Sequence, residues 1–179
     1  LSATAACALV AAVAPAPAGG PCAFAARVLD ERDPHLVREV LDQAQLAGAV
    51  KTSGSKGVHI FIPAVAPPED LAAATRAIAA RAEQLDPDLV TTAFIREDRA
   101  GKVFLDSTRA GGATVVAAYS PRLRPGVPVS FPVRWDEIDQ VTTADFTIRT
   151  VPALLAGGDP WAGMLPARQT INPGLIGHG

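Results

Sequence analysis

A short β-type run lies between two helical patterns, and this order limits the possible fold more than any other feature of the chain. Residues 58–62 (VHIFI) are β-branched and aromatic, with a glycine before them and a proline after them, which predicts a strand. Residues 33–48 open with Asp-Pro, continue with apolar residues at helical spacing and end in glycine. Residues 67–85 give a second helical pattern after Pro-Pro. The alternation predicts a mixed α/β (α+β) fold, with a mixed or antiparallel sheet flanked by helices.

Shorter apolar runs predict the remaining strands, and no internal repeat is present. These runs are residues 8–14, 89–94, 102–105 and 114–119. A Gly-Gly pair between the last two predicts that they form a β-hairpin. The last dozen residues show no periodic pattern, so we expect one domain over residues 1–164 followed by a loose tail over residues 165–179.

The first segment does not resemble a membrane or export signal. Residues 1–18 are apolar but lack an initiator Met and early basic residues, and they are too few to span a bilayer. We therefore expect a chain that starts inside a domain. Cys7 and Cys22 make neither a disulfide framework nor a zinc pattern, which favours inert thiols in a reducing cytoplasm.

Charge is distributed unevenly along the chain. The formal net charge is −2, which excludes a protein that binds nucleic acid over its whole surface. From Arg96 to Arg124, however, six basic residues outnumber three acidic ones, and no acidic residue follows Asp106 in that stretch. A local phosphate-binding face is therefore expected there.

The loop before the central strand is the first candidate site. Residues 51–59 (KTSGSKGVH) combine hydroxyls, glycines and lysines, which can approach and neutralise phosphate groups. The loop is not a Walker A motif, and a plain polar turn remains an equal alternative from spacing alone. His59 projects from the opposite face of its strand to Val58 and Ile60, either as a ligand contact or as a simple polar neighbour.

Two further segments carry candidate residues. Residues 99–106 (RAGKVFLD) include a predicted strand that ends at Asp106. This position suits a metal ligand, although many aspartates at the end of a strand only cap a turn. Residues 119–124 (YSPRLR) place Arg122 and Arg124 on one side of an extended segment. The pair could grip a triphosphate, or it could be a solvated basic edge.

Taken in order, these strings resemble the polymerase domain of bacterial ligase D, of the archaeo-eukaryotic primase superfamily. The resemblance runs from about residue 8 to residue 164 and includes the strings GKVFLD, PVSFPVRWDEI and FTIRTVPALLAGGDPWAGM. It implies a nucleotidyltransferase that uses two Mn²⁺ or Mg²⁺ ions and processes DNA ends in non-homologous end joining. It also implies ribonucleoside triphosphates as substrates, Ku and a DNA ligase as partners, and a place at the bacterial nucleoid.

The resemblance assigns roles to individual positions. Ser53 and Lys56 match the nucleotide-phosphate loop, and His59 matches a histidine that contacts the incoming nucleotide. Asp106 matches the third metal-binding carboxylate. The basic residues that match positions lining the active site are Arg99, Arg122 and Arg124, whereas the match at Arg109 is weaker. We expect Lys56, His59, Arg122 and Arg124 to converge on one cleft.

The sequence departs from the family at the first motif. The family has a strand ending in Asp-Leu-Asp-Pro, and the sequence offers only residues 9–15 (LVAAVAP) for it, with Ala12 and Ala14 at the two aspartate positions. We expect both to lie beside the strand of Asp106. Asp30 and Asp33 are nearby in sequence, at a helix start after the Gly-Pro turn. The family's N-terminal 5′-phosphate pocket is also not in this sequence. Three readings follow: a degenerate or truncated nucleotidyltransferase, a non-catalytic module that binds nucleotide or DNA ends, or an unrelated globular protein whose loops match by accident.

Overall fold

A mixed sheet forms the centre of the fold in this computed structural model, which describes residues 22–28, 34–108 and 115–177. The predicted mixed α/β architecture is confirmed. The helices and strands follow in chain order: β1 Cys22–Val28, α1 His35–Gln43, β2 Ala49–Thr52, β3 Val58–Val65, α2 Pro68–Leu85, β4 Val90–Thr91, β5 Val103–Asp106, β6 Pro132–Val133, α3 Val151–Leu154, α4 Pro160–Met164, β7 Gln169–Thr170 and α5 Pro173–Ile176. Short 3-10 turns lie between several of them.

The strands lie side by side in the order β4-β5-β1-β3-β2-β6, and β7 pairs with the end of β3. β1 is antiparallel to both β3 and β5, and β2 is antiparallel to β3 and β6. β4 runs parallel to β5, and β7 runs parallel to β3. Because β1 and β3 pair over seven residues, they form the longest ladder and the centre of the sheet.

Helices α1 and α2 pack together on one face of the sheet. Both are amphipathic, because their buried residues recur at helical spacing. Those residues are Val37, Val40 and Leu41 in α1, and Leu71, Ala74, Thr75, Ile78, Ala79 and Ala82 in α2. Pro68 begins α2, and Glu69 and Asp70 in its first turn complement the helix dipole. None of the described helices is long and apolar enough to cross a membrane.

Within residues 115–164, β6 extends the sheet beside β2, and several aromatic residues cover the face of the sheet opposite the two long helices. Phe131 stacks on Phe146 with ring centroids 4.7 Å apart. The indole of Trp161 meets the edge of Phe61 on β3, with centroids 5.3 Å apart. These aromatic contacts fix the second layer against the strands that carry the candidate residues.

Several predicted elements differ from the observed ones. The predicted strand 102–105 is confirmed as β5, but residues 115–119 form no strand and no hairpin with it. Tyr119 instead adopts a left-handed φ of 65° and its backbone N–H donates to the carbonyl of Ser130. The predicted strand 89–94 shortens to Val90–Thr91. The predicted strand 8–14 lies outside the described residues.

The expected loose tail is wrong for the described part of residues 165–177. β7 adds to the edge of β3, and α5 packs against α2. Ile171 and Leu175 are buried there, and Arg81 donates to the carbonyl of Gly174 at 3.2 Å. This closing segment is therefore part of the core, although its apolar residues are too few to show a periodic pattern.

Candidate active site

One row of cross-strand partners connects the candidate residues. Arg27 on β1 is the backbone partner of Asp106 on β5 and also of His59 on β3. His59 is in turn the partner of Lys51 on β2. Directly opposed positions share a face of a sheet, so Asp106, His59 and Lys51 lie on the face away from the two long helices. With neighbouring strands about 4.8 Å apart, Asp106 and His59 are about 10 Å apart at the backbone.

The loop between β2 and β3 is organised by Ser53. Its backbone N–H donates to the carbonyl of Gly57 at 3.0 Å, and its hydroxyl donates to the carbonyl of Lys56 at 2.8 Å. The same hydroxyl oxygen accepts from the N–H of Ser55 at 3.2 Å. None of the described residues accepts a hydrogen bond from the backbone N–H of Gly54 or of Lys56. The loop therefore presents backbone donors that an anion can use.

Arg122 lies directly over this loop. A Cβ added to Gly54 would lie 2.7 Å from Cγ of Arg122, so the arginine stem contacts the loop backbone. Gly54 has a left-handed φ of 65°, which favours glycine. Because glycine has no side chain, the stem of Arg122 can pack against the loop at this point. The backbone N–H of Arg122 donates to the carbonyl of Pro128 at 2.8 Å, which fixes the segment. Arg122 is half-buried, and within the described ranges no side chain pairs with its guanidinium.

The other three basic residues predicted for the site are not placed as Arg122 is. Lys56 belongs to the loop, but its side chain is exposed. Arg124 follows Arg122 and is also exposed. The guanidinium of Arg99 donates to the carbonyls of Ala93 at 3.0 Å and Phe94 at 2.6 Å and stacks on the ring of Phe104 at 3.6 Å. Arg99 therefore fixes the loop before β5, while Arg122 is the predicted arginine that contacts the phosphate-type loop.

Lys51 is a site residue that the sequence reasoning did not single out. Its side chain is fully buried, and its Nζ lies 3.0 Å from Nδ1 of His59 and 2.5 Å from Oγ of Ser130. The Ser130 hydroxyl donates to the carbonyl of Thr52 at 2.6 Å, so its oxygen accepts from Lys51. Burial, and then the nearby charge of Arg122, lowers the pKa of Lys51 from 10.5 to about 7. The strand position of Lys51 opposite His59 is the signal that could have identified it.

Asp106 is buried at the end of β5. Its Oδ1 accepts hydrogen bonds from the backbone N–H of Thr108 at 3.1 Å and from the Thr108 hydroxyl at 2.6 Å. The carboxylate therefore caps the turn that follows the strand, and the metal-ligand role that the resemblance implies for it stays a prediction.

The described residues do not fit a two-metal centre. Two-metal sites hold their cations about 3.5–4 Å apart with several carboxylates. β1, the strand beside Asp106, has the sequence CAFAARV and contributes no carboxylate. Among the described residues, no group of three or more His, Cys, Asp or Glu side chains could hold a metal ion. Ala12, Ala14, Asp30 and Asp33 lie outside the described residues.

The strand of Asp106 has β1 on one side and β4 on the other. On the β1 side, Arg27 is the residue paired with Asp106. The predicted place of Ala12 and Ala14 beside this strand concerns residues outside the described part of the chain, so it stays a prediction.

A mixed sheet that carries the loop of residues 53–57, Arg122 and the strand-end carboxylate of Asp106 defines a mixed α/β domain with a candidate phosphate site. Residues 31–161 match the family model described as LigD, primase-polymerase domain. The chain belongs to this family. Because the match begins at residue 31, the resemblance proposed for residues 8–30 is not supported by it.

Individual relatives agree with this assignment. The chain is 36% identical over 143 residues to the multifunctional non-homologous end joining protein LigD of Pseudomonas aeruginosa, covering 76% of this chain and 17% of that protein. It is 40% identical over 107 residues to the LigD of Mycolicibacterium smegmatis, covering 58% of this chain and 14% of that protein. The chain thus spans less than a fifth of these relatives.

A solved structure shows the same fold. The polymerase domain of Mycobacterium tuberculosis ligase D in complex with DNA superposes with a TM-score of 0.69 at 30% sequence identity. The superposition covers 81% of this chain and 55% of that one.

Proposed function

We propose that this chain takes part in DNA end processing during bacterial non-homologous end joining. In this proposal it is a primase-polymerase domain that binds ribonucleoside triphosphates and has weak or no nucleotidyl transfer. Family membership supports the end-joining role, since the curated relatives carry that name. The complex of the M. tuberculosis domain with DNA supports DNA ends as the second ligand. Ku, a DNA ligase and a nucleoid location belong to the same proposal.

The observation that carries the nucleotide part is the contact of Arg122 with the loop of residues 53–57. The loop supplies backbone N–H donors, and the half-buried guanidinium supplies fixed positive charge and up to five donors. A triphosphate needs both, because its oxygens carry several negative charges within a few ångström. Neither feature depends on a metal ion.

We expect weak nucleotidyl transfer because the described residues offer too few carboxylates to hold two metal ions. Phosphoryl transfer of this kind depends on metal ions and positioned cations that stabilise the transferring group. When bound, two Mn²⁺ or Mg²⁺ ions would supply that stabilisation, but in the described residues Asp106 has no second carboxylate beside it on β1. Nucleotide binding should therefore persist where nucleotidyl transfer does not.

One titration separates this proposal from full polymerase activity. Binding of a fluorescent ribonucleoside triphosphate is measured in EDTA and in Mn²⁺, and addition of ribonucleotides to a DNA end is assayed in parallel. We expect similar affinity in both conditions and no extension. Extension in Mn²⁺ would mean that carboxylates outside the described residues, Asp30 or Asp33 first, hold the metals. Absence of binding in either condition would remove the nucleotide site.

A further inference from the structure

The side chain of Lys51 is enclosed by His59, Phe61 and Ser130. His59 and Phe61 face it from β3, with Nδ1 of His59 3.0 Å from its Nζ and the Phe61 ring centroid 5.5 Å away. From the layer above, the hydroxyl of Ser130 lies 2.5 Å from the same nitrogen. The charged group that acts on it electrostatically is Arg122. In the described parts of the chain, no carboxylate lies within salt-bridge distance of Lys51.

A buried ammonium group without a carboxylate is costly to charge. Desolvation disfavours the charged form, and the Arg122 guanidinium repels it further. Asp106 shares the same face of the sheet, but the positions of Arg27 and His59 lie between it and Lys51. Among the described residues, no group supplies a charge that would favour a protonated Lys51, and a bound anion would supply one.

We propose that Lys51 takes up a proton when a polyphosphate binds beside Arg122, and so becomes a buried counter-ion of the phosphate site. This inference rests on the proposed nucleotide binding and adds a proton linkage to it. The bound anion would favour the ammonium form that burial and Arg122 disfavour. The hydroxyl oxygen of Ser130 already accepts one of its hydrogens, and Nδ1 of His59 lies 3.0 Å from the same nitrogen.

The protonation state of Lys51 in the free protein supports this linkage. Burial and Arg122 lower the pKa of Lys51 to about 7, so at pH 8 the free protein holds mostly the neutral amine. A ligand that raises this pKa must then bind together with a proton, and its affinity must fall as the pH rises. For a free-state pKa near 7, that linkage weakens binding about five-fold between pH 7 and pH 8.

Calorimetry measures the linkage directly. The whole chain is titrated with ATP in EDTA at pH 8 in two buffers of different ionisation enthalpy, which gives the number of protons taken up on binding. The Lys51→Met variant removes the amine, and Lys102→Met removes a lysine outside the loop, whose Nζ donates to the carbonyl of Pro87. Proton uptake or release by the nucleotide itself is the same for all variants. We expect close to one more proton in the wild type and in Lys102→Met than in Lys51→Met.

The affinity ratio gives a second readout. The ratio of wild-type to Lys51→Met affinity should fall about five-fold from pH 7 to pH 8. Lys51→Arg, which keeps a permanent charge, should bind ATP without the extra proton and serves if Lys51→Met does not fold. Equal proton uptake in the wild type and these variants overturns the inference and leaves the nucleotide site standing. Failure of the wild type to bind ATP or inorganic tripolyphosphate at pH 7 overturns the proposed function as well.

Discussion

Gly54 and Arg122 are in direct contact: a Cβ on Gly54 would lie 2.7 Å from Cγ of the arginine and 3.0 Å from the backbone nitrogen of Ser130. The glycine also has a φ of 65°. Loop and arginine therefore depend on the absence of a side chain at this position, which links the turn after β2 to the segment that carries Arg122.

Gly54→Ala should destabilise the fold and weaken nucleotide binding. The left-handed backbone costs about 1 kcal/mol for alanine, and displacement of Arg122 and of the Ser130 backbone adds about 1–2 kcal/mol. Gly101→Ala is the matched control, because Gly101 has a φ of 79° but no atom within 4 Å of the added Cβ. Denaturant unfolding of both variants measures the difference. Equal losses would mean that the contact with Arg122 is unimportant.

Leu175→Ala should lower the free energy of unfolding by about 2–4 kcal/mol. Leu175 is 4% exposed and lies in α5, which packs on α2. Leu165→Ala, at a residue that is 38% exposed, should cost less than about 1 kcal/mol. Similar small losses for both would restore the expectation of a loose tail.

The stability of the wild type should rise with pH above 7. Lys51 has a folded-state pKa of about 7 and an ordinary value of 10.5, so between these values the unfolded chain binds more protons than the folded one. The free energy of unfolding then increases with pH, by up to about 1.4 kcal/mol per pH unit from this group. Urea unfolding at pH 6.5, 7.5 and 8.5 measures the slope. Lys51→Met should lack this contribution, and an identical slope in both proteins would show that Lys51 is charged when folded.

The sequence predicted the helices and strands whose own residues show a clear local pattern. The two helices and the strand over residues 58–62 show apolar spacing and clear start and stop residues, and all three are present. β2 was missed because AVKT is short and ends in polar residues, and its stability comes from pairing with β3 and β6. Residues 115–119 read as a strand, yet the chain turns at Tyr119 to pair with Ser130.

The candidate site was predictable only in part. His59, Asp106 and Arg122 stood out by residue type at a strand or loop. The register places His59 and Asp106 on one face of the sheet, and Arg122 contacts the loop at Gly54. Lys51 did not, because its burial depends on Ser130, 79 positions away in the chain. Local sequence could not show which of the two loop lysines is buried, since the cross-strand register decides it.

The affinity of the Arg122→Ala variant for a ribonucleoside triphosphate in EDTA tests the central claim most directly. Arg124→Ala, an exposed arginine two residues away, is the control. Loss of a charge-assisted contact of this kind costs about 1.5–3 kcal/mol, so we predict affinity about 10- to 150-fold weaker for Arg122→Ala. Arg124→Ala should change affinity by less than about three-fold, as expected of an exposed charge. Unchanged affinity in Arg122→Ala, or equal losses in the two variants, would contradict a nucleotide-phosphate site at the contact between Arg122 and the loop.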